Sequence, residues 1–522
     1  MRDCSSLEHG TTSSCHIAIP TRRTYNLQMD GMRDSASSPS RVARHHARPR
    51  LAILALLALV LLTGLSTSLY QLPLNRVIER RLCRDYYQTH NPSILYKDGD
   101  INEKLCKVDA IQQSLAWYVG IMESLWIVGD FVMTIPLSFL AEKYGRRTVL
   151  WLNLVPRIFL LSWVTVVGCF EEALPLKAIV AGPTLSVLGG NCVLNSIVYA
   201  LAASLTDDNV IRATYFSWTN AVSYVVTFVG PGLAGATMTL NLFFPFLIGV
   251  CLLLLAIPII SLLVDPAHEP VASEDEQRRP LISSPTLKAQ TSRASLLRPI
   301  IERFHTLHSI VRSHPRNLTL LLISFFLTAL ASSDTSLLAQ YISKRYHWEF
   351  ASAGYLLSAK AIVNFTLLTL VIPGILRARG SQGPTQSPSL SDRDNVRYAR
   401  ICLVVSVLGA LAISVAVTAW LLFPSLLLYS LGSALPVFTM GLLKSPSVSP
   451  KDSDRPANSP DPETHIFSIV MMVKILGSLV GAPLMAALWV RGIATGALGV
   501  PYLVSAALYV TAIVVFAGIR VR

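Results

Sequence analysis

Charge is in short supply in this sequence. Asp, Glu, Lys and Arg together make up 14% of its 522 residues, where soluble chains run nearer 25%, and the mean hydropathy is +0.50. That balance excludes an ordinary soluble protein. Acidic residues are scarcer than basic ones, 31 against 44, which leaves a formal charge of +13. In a soluble chain such an excess would suggest nucleic acid. Here no soluble domain presents it, so the positives belong on loops beside anionic lipid, and no nucleic-acid partner is expected. The sequence also lacks a Gly-rich phosphate loop, a nucleophile motif, and His or Cys at metal-ligand spacing. Those absences speak against an enzyme, an ATP-driven pump and a bound metal or cofactor. No signal peptide precedes the first apolar run. Of the eight cysteines, only Cys83 and Cys106 share a stretch expected outside the membrane on the extracytoplasmic side. A disulfide is chemically permitted there, and paired and free thiols both remain open.

Long apolar runs are what the sequence has instead. Apolar segments of about 20 residues cross a bilayer as helices. Such runs lie near 51–72, 115–140, 148–169, 179–204, 213–238 and 242–264, then near 318–341, 351–376, 400–419, 421–443, 467–491 and 497–519. The expected fold is an all-α membrane protein of twelve transmembrane helices in two six-helix bundles, 51–264 and 318–519. Residues 1–50, rich in Ser, Arg and His, read as a disordered cytoplasmic tail, and 520–522 as a short C-terminal tail. The linker 265–317 carries SEDEQRR and then LLRPIIERFHTLHSIVRSH, whose Leu296, Ile300, Phe304, Leu307 and Val311 recur at the spacing of an amphipathic interfacial helix.

The turn Glu142-Lys143-Tyr144-Gly145-Arg146-Arg147 sits between two of these runs. Its basic residues place it in the cytoplasm, because cytoplasmic loops carry the excess of Lys and Arg. With twelve spans, both termini are then cytoplasmic. The second span of each half echoes the other: Pro136 precedes Gly145 as Pro373 precedes Gly380, with Glu123 and Lys360 thirteen residues before each proline. Folds built from repeats leave such traces.

The stretch SFLAEKYGRR (Ser138 to Arg147) resembles the loop signature of the major facilitator superfamily: Gly, three variable residues, Asp-Arg, any residue, Gly-Arg and a basic residue. Ser138 stands at the first Gly, Glu142 at the Asp and Lys143 at the Arg, while Gly145, Arg146 and Arg147 match. The resemblance covers residues 51–519 and implies a turn that locks one access state near the inner ends of the second and eleventh helices. VGPGLAG (Val229 to Gly235) is similar to the Gly-Pro-x-x-Gly-Gly element of the superfamily's drug and metabolite antiporters, through Gly230, Pro231 and Gly235, with Ala234 in place of a Gly. The fourth span, VAGPTLSVLGGN, lacks the Arg such antiporters usually carry. YALAASLTDDNVIRATYF (Tyr199 to Phe216) and QYISKRYHWEFASAGYLL (Gln340 to Leu357) resemble a filamentous-fungal branch distantly similar to the proton-coupled folate transporter family.

An ionisable residue inside a span costs a few kcal/mol on insertion scales, so each is a functional hypothesis by default. Glu123 and Asp130 share a face of the second span. Arg157 lies in the third, Asp334 in the seventh, Lys360 in the eighth and Lys474 in the eleventh. The resemblance implies that Asp130 meets Lys474 in one access state, with Arg157 the rival partner. Asp334 and Lys360, matched in depth, would pair within the second half. Glu123 has no cation of matched depth and suits reversible protonation. Asn191, Asn195 and Tyr199, at helical spacing, and Trp126 are candidates for a substrate path, against the plainer role of bonding helix to helix. Tyr70 and Trp348 read as interfacial anchors.

The expectation is a monomeric secondary transporter of a small organic molecule, working by alternating access without a cofactor, in the plasma or vacuolar membrane. Efflux of a metabolite or toxin by proton antiport is the first reading. Proton-coupled uptake and a non-transporting membrane sensor are the alternatives.

Overall fold

A bilayer offers no water to backbone N–H and C=O groups, so a chain this apolar must satisfy them within helices or a closed barrel. The chain takes the first route. A computed structural model describes residues 40–92, 101–205, 209–263, 316–371, 392–443 and 462–519, and these are helical with no strand among them. In chain order the helices are α1 (Ser40–His90), α2 (Asp109–Tyr144), α3 (Arg146–Cys169), α4 (Asn191–Ser204), α5 (Asn209–Leu240) and α6 (Phe244–Leu262). After residue 315 come α7 (Asn317–Ser332), α8 (Leu338–Tyr346), α9 (Phe350–Thr366), α10 (Asp392–Val415), α11 (Ala419–Leu431), α12 (Leu435–Leu443), α13 (Pro462–Ala494) and α14 (Val500–Ala517). Each of the twelve expected spans meets a helical segment here. Among the described residues, ten are long and apolar enough to cross a membrane, and the tenth contains the shorter apolar stretch Ala419–Ala434. Pro373, Gly380, the linker helix at 296–314, most of the basic tail and the last three residues lie outside the described residues.

Three spans are broken, and the breaks have chemical reasons. The fourth begins as a 3-10 helix, Leu176–Leu188, then crosses Gly189 and Gly190 before α4 starts. The tenth passes from α11 to α12 through a 3-10 turn at Gly432–Ala434. These are the fourth helices of their halves, so the interruptions fall at corresponding places, as in transporters built from repeats. The seventh is interrupted at Ser333–Leu337, around Asp334. Broken backbone at membrane depth persists where protein or a cavity satisfies it.

The buried apolar side chains gather mainly in three clusters. One is centred on Phe325, Tyr341, Trp489 and Phe516 from α7 to α14. The second lies among α1 to α6, around Leu56, Val149 and Leu253, and the third, around Leu69, Leu160 and Phe246, also takes in Ala339 of α8 and Phe350 of α9. Across the two sets, α5 packs on α9 and α2 on α13. Close approach sets that seam. A Cβ on Gly235 would stand 2.8 Å from the carbonyl oxygen of Ala351, and one on Gly120 would stand 2.6 Å from the Cβ of Ala486.

The first helix departs from expectation at both ends. It starts at Ser40, inside the stretch expected as tail, and continues past 72 to His90 for 51 residues. Its 40 residues from Leu51 to His90 make about 60 Å at 1.5 Å per residue, far beyond a hydrocarbon core of about 30 Å. Its polar end holds because every turn finds tertiary partners. Arg81 donates to the carbonyls of Val167 at 2.7 Å and of Glu171 and Leu174 at 2.8 Å, closing the C-terminal end of α3. Glu79, fully buried, accepts from Lys107 at 2.7 Å and Gln112 at 2.6 Å and pairs with Arg76 at 3.0 Å. Cys83 and Cys106 are joined as a disulfide, with S–S 2.07 Å, which settles the pairing left open by the sequence. Contacts between the two helix sets gather at this end. Lys344 reaches Asp109 at 2.5 Å and the carbonyl of Lys107, the N–H of Phe350 donates to Glu103 at 2.8 Å, and Gln340 donates to Asn75 at 3.2 Å.

Candidate functional site

The Gly-Gly break in the fourth span creates the first polar centre. It exposes the amino end of α4 inside the protein, where free N–H groups favour negative charge. Asp130 of α2 fills that role. Its Oδ2 accepts from the N–H of Cys192 at 3.0 Å, and the N–H groups of Asn191 and Val193 turn to the same carboxylate. Arg157 of α3 sits beside it as the hub of a side-chain network. Its guanidinium donates to Thr67 of α1 at 2.7 Å, to Asn191 of α4 at 2.7 Å and to Asn153 at 3.1 Å. Its plane lies 6.0 Å from the ring centre of Trp126. Four helices thus meet at one cation. The Asp130–Lys474 contact implied by the resemblance is not made in this conformation, because the end of α4 holds Asp130 instead.

Glu123, two turns from Asp130 on α2, faces the hydroxyl of Ser336 in the seventh span, with Tyr70 of α1 as a neighbour. No Lys or Arg pairs with it among the described residues. Tyr70, read from sequence as an interfacial anchor, instead lies near the middle of α1 with Glu123 and Arg157 as charged neighbours. The error follows from ending the helix near 72.

The second half holds a cavity of about 300 Å³ with Lys360, Lys474, Asn364, Thr335, Tyr429 and Tyr509 in its wall. Asp334 and Lys360, expected as a direct pair, are coupled through Tyr429. The Tyr429 hydroxyl donates to Asp334, 2.9 Å from one oxygen and 3.2 Å from the other. Its ring lies 5.3 Å from the Lys360 ammonium, and the Tyr509 hydroxyl is 3.3 Å from its own. Lys474 has no hydrogen-bond or ion-pair partner among the described residues. Tyr429, Tyr509 and Asn364 escaped the sequence reading, since a tyrosine in an apolar run carries no sign of which way it points. So did Thr67 and Asn153, whose only signal was a polar residue in an apolar helix.

The remaining expected residues are placed as follows. Gly145 adopts φ 90°, a left-handed value that favours glycine, and alone separates α2 from α3. Arg146 donates to the carbonyl of Ala200 at 3.1 Å and Arg147 to that of Ser261 at 2.7 Å. Both therefore hold helix C-terminal ends, where cations are favoured, on α4 and α6. The side chains of Ser138, Glu142 and Lys143 lie outside the described residues. In α5, Gly230 rests against Ser68 of α1, Pro231 touches Gly354 of α9 through its carbonyl, Ala234 is fully buried and Gly235 meets Ala351. Tyr199 donates to Asn220 at 2.7 Å and meets Phe216 edge-on, and Asn195 is exposed on α4.

Two sets of helices, interrupted at matching positions and joined by a tight small-residue seam, now have a counterpart in known proteins. The profile of the Major Facilitator Superfamily matches residues 108–453. The chain belongs to that superfamily. Among curated relatives, the MFS efflux pump atnC of Emericella nidulans is 26% identical over 462 residues, covering 88% of this chain and 86% of its own. The efflux pump ustT of Aspergillus flavus is 27% identical over 346 residues, 64% of each chain. Solved structures of the human organic anion transporter MFSD10 and of the nucleoside transporter NupG superpose with TM-scores of 0.55 and 0.53. Both are 16% identical and cover 90% of this chain and 99% and 100% of theirs, a likeness of fold alone. This superfamily member is a multi-pass integral membrane transporter with twelve helices in two six-helix bundles, and not an enzyme.

Proposed function

We propose that this transporter exports a small organic metabolite in exchange for protons, by rocking its two bundles about the central polar centres. The observation that carries the proton step is the place of Glu123. It is a membrane-embedded carboxylate with no cationic partner among the described residues, at the contact between the second and seventh spans. A carboxylate so placed sits where the bundles move against each other, so a change in its charge biases one arrangement over the other. Export is supported by the efflux pumps among the fungal relatives and by the resemblance of Val229 to Gly235 to the antiporter element. The charge rule puts the Cys83–Cys106 end outside. The contacts of Lys344, Phe350 and Gln340 then close the outer side in this conformation, and the turn at Gly145 lies inside.

Secretory-type vesicles from cells with and without the protein, assayed for metabolite content at two external pH values, test this. Accumulation driven by protons leaving an acidic lumen is expected, and Glu123→Gln should abolish its pH dependence while the protein stays in the membrane. Unchanged pH dependence would remove Glu123 from the coupling. Depletion instead of accumulation would favour proton-coupled uptake.

A further inference from the structure

Among the described residues, the cavity of the second bundle has an unbalanced charge. Two lysines, Lys360 and Lys474, stand in its wall, and each ammonium offers three donors and no acceptor. The carboxylate that could answer them, Asp334, lies fully buried and is engaged by the Tyr429 hydroxyl. Nearby hydroxyl hydrogens are committed to their own helices: Thr328 donates to Ser324 at 2.8 Å, Ser332 to Ala329 at 3.0 Å and Ser430 to Leu426 at 2.7 Å. Asn364 accepts from Ser433 at 3.1 Å, which leaves its NH₂ to donate. The groups with hydrogens still to give are therefore two ammoniums and an amide. Burying cations without a counter-charge is costly, and a ligand that brings negative charge removes that cost. The rest of the wall, including Phe325, Ala329, Leu435 and Pro436, is apolar and suits a carbon skeleton more than a hydrated inorganic ion.

We infer that this cavity binds an organic carboxylate, its anionic end on Lys360 and Lys474 and its apolar body against Phe325 and Leu435. The inference rests on the transport reading and adds the substrate class. A cationic ligand is excluded by the same two charges. The cavity of about 300 Å³ limits the bound portion to the size of one or two fused rings.

The test uses the full chain in lipid nanodiscs and a fluorescent probe, 1-hydroxy-2-naphthoate, with its neutral carboxamide as control. A charge-assisted hydrogen bond contributes enough that the amide should bind about tenfold or more weakly. Lys474→Gln and Lys360→Gln should each weaken the acid by about the same factor and leave the amide unchanged, and Lys474→Arg should restore most of the affinity. Equal binding of acid and amide by the unaltered chain overturns the proposal without recourse to any variant. Displacement of the probe by millimolar sulfate as effectively as by benzoate, a non-fluorescent aromatic acid, overturns it too, since the site would then read charge alone. None of these outcomes touches the transport reading, which fails separately if the bundles show no change of access.

Discussion

Gly190 has room for a hydrogen and little else. A Cβ there would stand 2.1 Å from the Cγ of Asp130, so any side chain drives the carboxylate away from the α4 N–H groups. Gly190→Ala should cost about 1–3 kcal/mol, the usual range for forced overpacking, seen as a lowered melting temperature of the purified protein. An unchanged melting temperature would mean that α2 and α4 separate freely and that Asp130 does not fasten them. Some of this chemistry was readable in the sequence. Asp130 and Arg157 stood out as charges within apolar runs, because the bilayer makes any such residue conspicuous. Their partners were readable only in part. Lys474 in one access state and Arg157 are the partners expected for Asp130; in this conformation it lies beside Arg157 and accepts from backbone, since a helix interrupted at Gly189-Gly190 supplies N–H groups that no residue type announces.

The helix α1 shows the same limit at the level of an element. Hydropathy drops after residue 72, and a helix end was read there. The helix runs on because Arg81, Glu79 and Arg76 each reach partners far along the chain. The disulfide from Cys83 to Cys106 spans 23 residues, and closing such a loop restricts the unfolded chain by about 3 kcal/mol in the chain-entropy account. Cys83→Ser with Cys106→Ser should lower the melting temperature and increase proteolysis in the segment 83–106. If neither moves, the buried Glu79–Lys107 pair and the Arg81 contacts hold the extension by themselves. The fourth and tenth spans were read as continuous helices. Glycines at 189, 190 and 432 do not by themselves make a break, because it needs polar neighbours to receive the freed backbone, and those come from other spans.

At the scale of the molecule, contacts between the bundles gather at the disulfide end, where Gln340 lies 3.2 Å from Asn75. A cysteine pair, Asn75→Cys with Gln340→Cys, bridged by a short bis-methanethiosulfonate reagent should stop transport, with activity returning on reduction. The same reductant applied to the unaltered chain controls for the native disulfide. Transport that continues through the cross-link would mean the bundles do not part at this end, and the rocking mechanism would fall. The small residues of VGPGLAG permit close helix approach in α5, so part of the seam is legible in the sequence. Which helix α5 packs against is not, because small residues permit an approach without naming the neighbour.

Apolar length, loop charge and the turn from Ser138 to Arg147 were enough to establish twelve helices, a membrane and a superfamily. Each depends on a property that a residue carries alone, its transfer energy or its backbone freedom, and such properties survive in a linear string. The pairing of charges, the breaks in the fourth and seventh spans, the α1 extension and the cavity with its two lysines were decided by the tertiary structure. They depend on which polar group meets which across helices distant in sequence. Inside a low-dielectric bundle that choice of partner, more than the residue type, determines whether a charge is held in place or left to meet a ligand.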